Sequence, residues 1–257
     1  MTTKKVVRMG RWAAAVLAAL LTWGCAAINP EQRPAAPTAE KPEMETEAAQ
    51  RGWWYVRFIR EYPEDSSQEP AWYMDLLIAN EIVAPVLYRH EADLPLWRFH
   101  RRAVNDSSGH ALSFIIYATP WTAEAVYADI RSTLLLDELL SAGKVDRVTY
   151  EETAEIKRPE RKDVSDDNWP LEVQNAWPYF IMGVSRTWLD LVSLEAEKLG
   201  RSETPDRLPE LESLYRQVND AVDELWRQEG RHAFLHHLNA VFGYQPLVIY
   251  ERKLLTF

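Results

Sequence analysis

The sequence predicts an α+β domain. Three observations carry this: short β-branched and aromatic runs alternate with longer helical periodicities, a turn cluster joins two of the short runs into a hairpin, and the last third of the chain is helical throughout. The order is β-α-β-β-α-β followed by helices. That order matches a ferredoxin-like sheet elaborated with a C-terminal helical region, placed at about residues 171–245.

The elements follow in order. Trp53 to Arg60 (WWYVRFIR) is aromatic and β-branched with partial alternation, hence a strand. Ala71 to about Arg89 carries Met74, Leu77, Ile78, Ile82 and Val83 at helical spacing, with Pro85 interrupting. Leu96 to Ala103 and His110 to Ala118 are strands, separated by the turn-forming Asn105-Asp106-Ser107-Ser108-Gly109. Thr122 to about Ala142 is a helix, capped by Thr122 and stopped at Gly143. Val145 to Glu151 is a strand, and Glu152 to about Asn168 a charged loop. Asn175 to Leu199 is an amphipathic helix with Trp177, Ile181, Val184, Trp188 and Leu191 on one stripe. Leu208 to Gln228 and Arg231 to Phe242 are further helices, and Pro246 to the C-terminus is a last strand or helix.

Ahead of this domain, residues 1–25 read as a signal peptide. Lys4, Lys5, Arg8 and Arg11 precede an apolar run from Trp12 to Leu21, the length of a signal core and short of the roughly 20 residues that span a bilayer. Thr22-Trp23-Gly24-Cys25 resembles a bacterial lipobox, with Thr22 where a leucine is usual. Cys25 is the only cysteine and so the expected lipid attachment point. The partner implied is a membrane, and Ala26 and Ala27 after the cysteine favour the outer membrane facing the periplasm by resemblance to known lipoproteins. Residues 26–50 contain Pro30, Pro34, Pro37 and Pro42 among Ala, Glu and Thr, a composition expected of an extended tether. Residues 51–257 form the single domain.

Net charge is −10; without the four basic residues of the signal, 25 basic face 39 acidic residues, or −14. Such a balance argues against nucleic acid, which needs a basic footprint. A lone cysteine excludes zinc held by cysteines and any internal disulfide. There is no Gly-rich phosphate loop, no G-x-S-x-G elbow and no H-E-x-x-H, so no cofactor is expected.

The densest polar constellation is His232, His236 and His237. His232, His236 and Asn239 share the helix face opposite Phe234, Leu235, Leu238, Val241 and Phe242. Histidines four apart can grip a metal, but no acidic ligand accompanies them at helical spacing, and a solvated face is the simpler reading. His110 opens a strand after a glycine turn, a position that suits hairpin packing as well as chemistry. Glu151, Glu152 and Glu155 read as a solvated loop.

Several stretches in order resemble the thiopeptide-type bacteriocin biosynthesis domain, the elimination domain at the C-terminus of lantibiotic dehydratases. They are the Trp53–Arg60 strand; Phe99-His100-Arg101-Arg102; the Asn105–Gly109 turn; His110-Ala111-Leu112-Ser113-Phe114; Tyr150-Glu151-Glu152-Thr153 with Arg158 beyond; Phe180 to Ser185; and His236-His237-Leu238-Asn239-Ala240-Val241-Phe242-Gly243. The resemblance spans residues 53–257. It implies a site in which a histidine moves a proton and arginines stabilise glutamate leaving a modified Ser or Thr. On this sequence His236 matches the histidine, and Arg158 matches one arginine with a two-residue shift. The two strand arginines fall on Leu112 and Phe114, and Ala240 stands where another is expected. Charged transfer RNA, on which glutamylation depends, is cytoplasmic, whereas this chain is expected outside. The residues thus leave a non-catalytic binder of a peptide or protein, a lyase using His236 with Arg101, Arg102, Arg158 and His110, and a structural envelope assembly factor as competing expectations; Arg101, Arg102, His232 and Asn239 are the candidate binding residues.

Overall fold

The computed structural model describes residues 50–60, 71–102, 109–200 and 207–246. Cys25, the signal, most of the tether, the Asn105–Ser108 turn and the residues after Pro246 lie outside the described residues. The domain is a mixed α+β fold: a four-stranded antiparallel sheet interleaved with helices, then a large helical region.

Strand β1 (Gly52–Arg60) sits beside β3 (His110–Ala118) and β4 (Arg147–Tyr150), and β2 (Leu96–Arg102) flanks β3, giving the order β2-β3-β1-β4. Every pairing is antiparallel, and Arg60 stands opposite His110, Phe58 opposite Leu112 and Val56 opposite Phe114. Period-2 alternation then sorts the side chains. Trp54, Val56, Phe58, Trp97, Phe99, Leu112, Phe114 and Ile116 all join the apolar core. Their sequence neighbours face the other way, where Arg57 and His100 are exposed and Tyr55, Arg98 and Ile115 half-buried.

The first helical stretch departs from a plain α-helix. α1 (Tyr73–Leu77) and α2 (Ala84–His90) are joined through a π-helical segment, Ile78–Val83. Pro85 supplies no N–H and crowds the carbonyl four residues back, so the wider turn ahead of it absorbs the misfit and the chain continues. The π segment also places Asn80 to donate to the Tyr215 hydroxyl at 2.6 Å and to accept from Ser193 at 2.6 Å, tying three helices together.

The predicted helix from Thr122 is two helices, α3 (Pro120–Arg131) and α4 (Leu134–Ser141), and its cap is Thr119 rather than Thr122. The Thr119 hydroxyl accepts from the Thr122 amide at 3.1 Å, while Pro120 fills the first turn where no donor is needed. The break falls where Ser132 and Thr133 turn their hydroxyls onto the Asp129 carbonyl. The charged loop is pinned rather than loose. It contains a 3-10 turn, Arg161–Val164, and Trp53 Nε1 donates to the carbonyls of Glu160 and Arg161 at 3.0 Å.

α5 (Leu171–Leu199) starts four residues before its expected position and carries Pro178 within it. Its buried stripe is Pro178, Ser185, Leu189, Val192 and Ala196, offset from the expected one; Val184 is 46% exposed. The offset has a cause. Ser185 reads as polar, yet its hydroxyl accepts the Phe99 amide at 3.1 Å, so α5 closes the free edge of β2. α6 (Arg207–Glu229) runs into a second π segment, Gly230–His236, and then α7 (His237–Val241). Among the described residues no helix is long and apolar enough to cross a membrane.

Candidate functional site

Two charged assemblies stand on opposite faces of the sheet. The inner one gathers at the sheet end where β1 stops and β3 begins. Asp75, in α1, has no exposed surface and is ringed by Arg60, Arg101 and His110. Arg60 Nη2 donates to Asp75 Oδ1 at 2.8 Å and Arg101 Nε to Oδ2 at 2.8 Å. His110, also fully buried, lies with Nε2 2.9 Å from both carboxylate oxygens and Nδ1 2.6 Å from the Arg102 carbonyl. A carbonyl and a carboxylate both accept, so with Asp75 ionised both ring nitrogens donate. Burial pushes the Asp75 carboxyl up, but the His110 hydrogen bond and the charges of Arg60 and Arg101 outweigh it and hold it below its ordinary value.

The Trp72 ring meets His110 edge-on at 4.9 Å, and the Arg101 guanidinium lies 5.0 Å from the Trp72 ring and 5.5 Å from that of Trp188. A histidine paired with an aspartate is the usual apparatus of a general base. Here the imidazole is sealed between strand, helix and indole. Its hydrogen bonds to Asp75 and to the Arg102 carbonyl tie α1 to β2 and β3.

The outer assembly lies on the opposite face, where Arg57, His100 and Arg147 are exposed. The register sets out three rows across the strands: Arg98, Ile115, Tyr55; then His100, Ser113, Arg57, Thr149; then Arg102, Ala111, Ile59, Arg147. Four arginines and a histidine therefore share one sheet face of an acidic protein. Partial burial lowers the His100 pKa, and the neighbouring charges of Arg98, Arg57 and Arg102 lower it further. Burial likewise pulls the Arg98 guanidinium below its ordinary value, and its Nε is buried with no partner. The Arg57 guanidinium covers the Tyr55 ring at 3.7 Å. Arg102 donates to the Gly109 carbonyl at 3.0 Å.

The sequence candidates separate across these places. His110 and Arg101 come together through Asp75, with Arg102 next to them. Arg158 sits at the far end of β1, bonded to Glu151 and to the Trp53 carbonyl, on the order of 20 Å of strand away. His232, His236 and Asn239 line a shallow groove with Gln228, Arg231 and Leu235, all from one helix, and His232 and His236 stack at 5.4 Å in solvent. His236 thus keeps company with its own helix, and Arg231 is the arginine beside it. Among the described residues no group of three or more His, Cys, Asp or Glu is placed to hold a metal.

No protein-family model matches this chain, and no curated protein matches it. The sites are therefore read from their geometry.

Asp75, Arg60, Arg57, Arg98, His100 and Arg147 are the residues that motif reasoning missed. Some signal was there. In LWRFHRR the basic residues Arg98, His100 and Arg102 alternate with the apolar Trp97 and Phe99, which places them on one face. Asp75 interrupts an otherwise apolar helical run, YMDLLIA, and a lone carboxylate there has to find a buried cation.

Proposed function

We propose that this chain is a lipid-anchored domain of the bacterial envelope that binds a peptide or protein on the outer face of its sheet, without catalysing a reaction. One observation carries the reading: the apolar core packs against one side of the sheet, while the other presents Arg57, His100 and Arg147 as exposed side chains from three of its strands. Antiparallel order β2-β3-β1-β4 with helical crossovers supports the ferredoxin-like form of the fold. It is also the element order that the resemblance to the elimination domain requires, with the reaction set aside. The sealed state of His110 and the solvent-facing His236 both weigh against proton transfer in a closed site. Anchoring rests on the signal and Cys25: a Cys25→Ser chain should fail to incorporate palmitate and leave the membrane fraction.

The binding reading is tested by placing a photoreactive phenylalanine analogue at His100, on the open face, or at Leu194, on exposed α5, in the full-length protein within cells. Peptide adducts mapped by mass spectrometry are expected from the His100 position alone. Equal labelling at Leu194, or glutamate release from a glutamylated serine peptide that is lost in His236→Ala, would reject the proposal.

A further inference from the structure

We infer that the ligand of the open sheet face is an acidic peptide segment in extended conformation, its alternate carboxylates seated over Arg98, Arg57 and Arg147. The inference rests on the binding reading above and adds the chemistry of the ligand.

Charge is the first argument. Leaving out the signal, the chain carries −14, yet this one face presents arginines from three of its four strands. Among the described residues, Arg57, Arg98, His100 and Arg147 have no carboxylate partner, and Glu151, just past the end of β4, is bound by Arg158. Natural surfaces intersperse opposite charges, so an unneutralised cluster of one sign marks a place where the opposite sign arrives. Arg98 adds to this. Its side chain is half-buried and has no carboxylate partner, so a carboxylate arriving there is held by a charge-assisted hydrogen bond.

Spacing is the second. Neighbouring strands lie about 4.8 Å apart and alternate residues of one strand about 6.7 Å apart. Arg98, Arg57 and Arg147 are therefore set diagonally across the four-stranded sheet, a span on the order of 20 Å. A single phosphate reaches one such position. An extended peptide places a side chain on one face every second residue, so about seven residues reach all three. Tyr55 and Tyr117 supply flat aromatic surface alongside, and Tyr117 and Trp53 are locked by the 3-10 loop, which rims that end of the face. A rimmed surface suits a chain better than a planar bilayer, and the remaining acidic surface repels anionic lipid.

The test uses full-length protein in neutral detergent and fluorescence anisotropy. The probe is a labelled peptide with glutamate at four alternate positions among threonines; its glutamine counterpart and phosphatidylglycerol vesicles are the comparisons. The glutamate peptide should bind, weaken with added salt, and bind at least about tenfold more tightly than the glutamine peptide. Arg57→Glu with Arg147→Glu, both exposed positions, should weaken it at least about tenfold. If that pair fails to fold, Arg57→Gln with Arg147→Gln should weaken it in the same direction. Equal binding of the glutamine peptide overturns the acidic assignment but leaves peptide binding intact. Vesicle binding that the charge reversal abolishes, with no peptide bound, overturns the inference in favour of lipid. Binding of neither overturns it as well, and crosslinking from His100 then decides the broader reading separately.

Discussion

Replacing Asp75 by asparagine removes one charge from the inner assembly and changes almost nothing in shape. The carboxylate is fully buried and accepts from Arg60, Arg101 and His110. An amide offers one acceptor oxygen and, in place of the other, a donor aimed at donors. Arg60, with 8% of its side chain exposed, and His110, with none, cannot turn to water. Arg101, at 30%, can in part. Breaking a buried charge pair costs about 3–5 kcal/mol, and the partial rescue of Arg101 sets the expectation near the lower end, about 3 kcal/mol. For a domain of this size that lowers Tm by roughly 6–12 °C.

The measurement is urea unfolding of wild type and Asp75→Asn, followed by tryptophan fluorescence, at pH 7 and again on the acid side. The sign follows from the carboxyl being held below its ordinary value of 3.8. Its contribution is complete above the unfolded value and disappears as pH falls through the folded one. The gap between wild type and variant should therefore be constant near neutrality and narrow below about pH 4. A gap under about 1 kcal/mol at pH 7, or one that widens in acid, would refute the buried charge pairing.

Three further outcomes are expected. Ser185→Ala leaves the Phe99 amide of the β2 edge unmatched beneath α5, and should cost about 1–3 kcal/mol by denaturant unfolding, with faster exchange of that amide. Gly109→Ala meets two penalties, since Gly109 has φ +74° and a Cβ there would stand 2.5 Å from the Arg60 carbonyl oxygen; a loss of at least about 1–2 kcal/mol should appear as a lower Tm. His236→Ala, on an exposed helix face, should change stability by no more than about 0.5 kcal/mol and leave the anisotropy titration unaltered.

The sheet was legible in the sequence because its strands obey a period of two and their ends carry the right punctuation. His110–Ala118 matches to the residue, since Gly109 with positive φ is the turn it needs. The helices were legible in existence and less so in detail. Pro85 signals an interruption without saying that a π turn absorbs it, and Ser132-Thr133 splits a helix that apolar periodicity alone reads as continuous. Ser185 shows the limit most clearly: whether a serine lies inside depends on a strand edge 86 residues away in the chain. The histidine cluster attracted chemical attention by density, whereas the buried partners of His110 come from α1 and from β1 and β2, joined only by folding.

The same topology explains why arginine is abundant here yet missing from two expected positions. Leu112 and Phe114, where the resemblance would place strand arginines, are 0% and 1% exposed and face the helices. The register sets Arg101 directly beside Leu112, one strand over, and Arg60 beside His110. Positive charge is thus present at this end of the inner face, but it is paired: each guanidinium donates to the Asp75 carboxylate at 2.8 Å. A leaving group arriving there would have to displace Asp75 and open the α1 contact. The exposed charge lies across the sheet, on Arg57, His100 and Arg147, one residue out of phase with the core. In a strand that single step separates a cation that holds the fold from one that faces solvent.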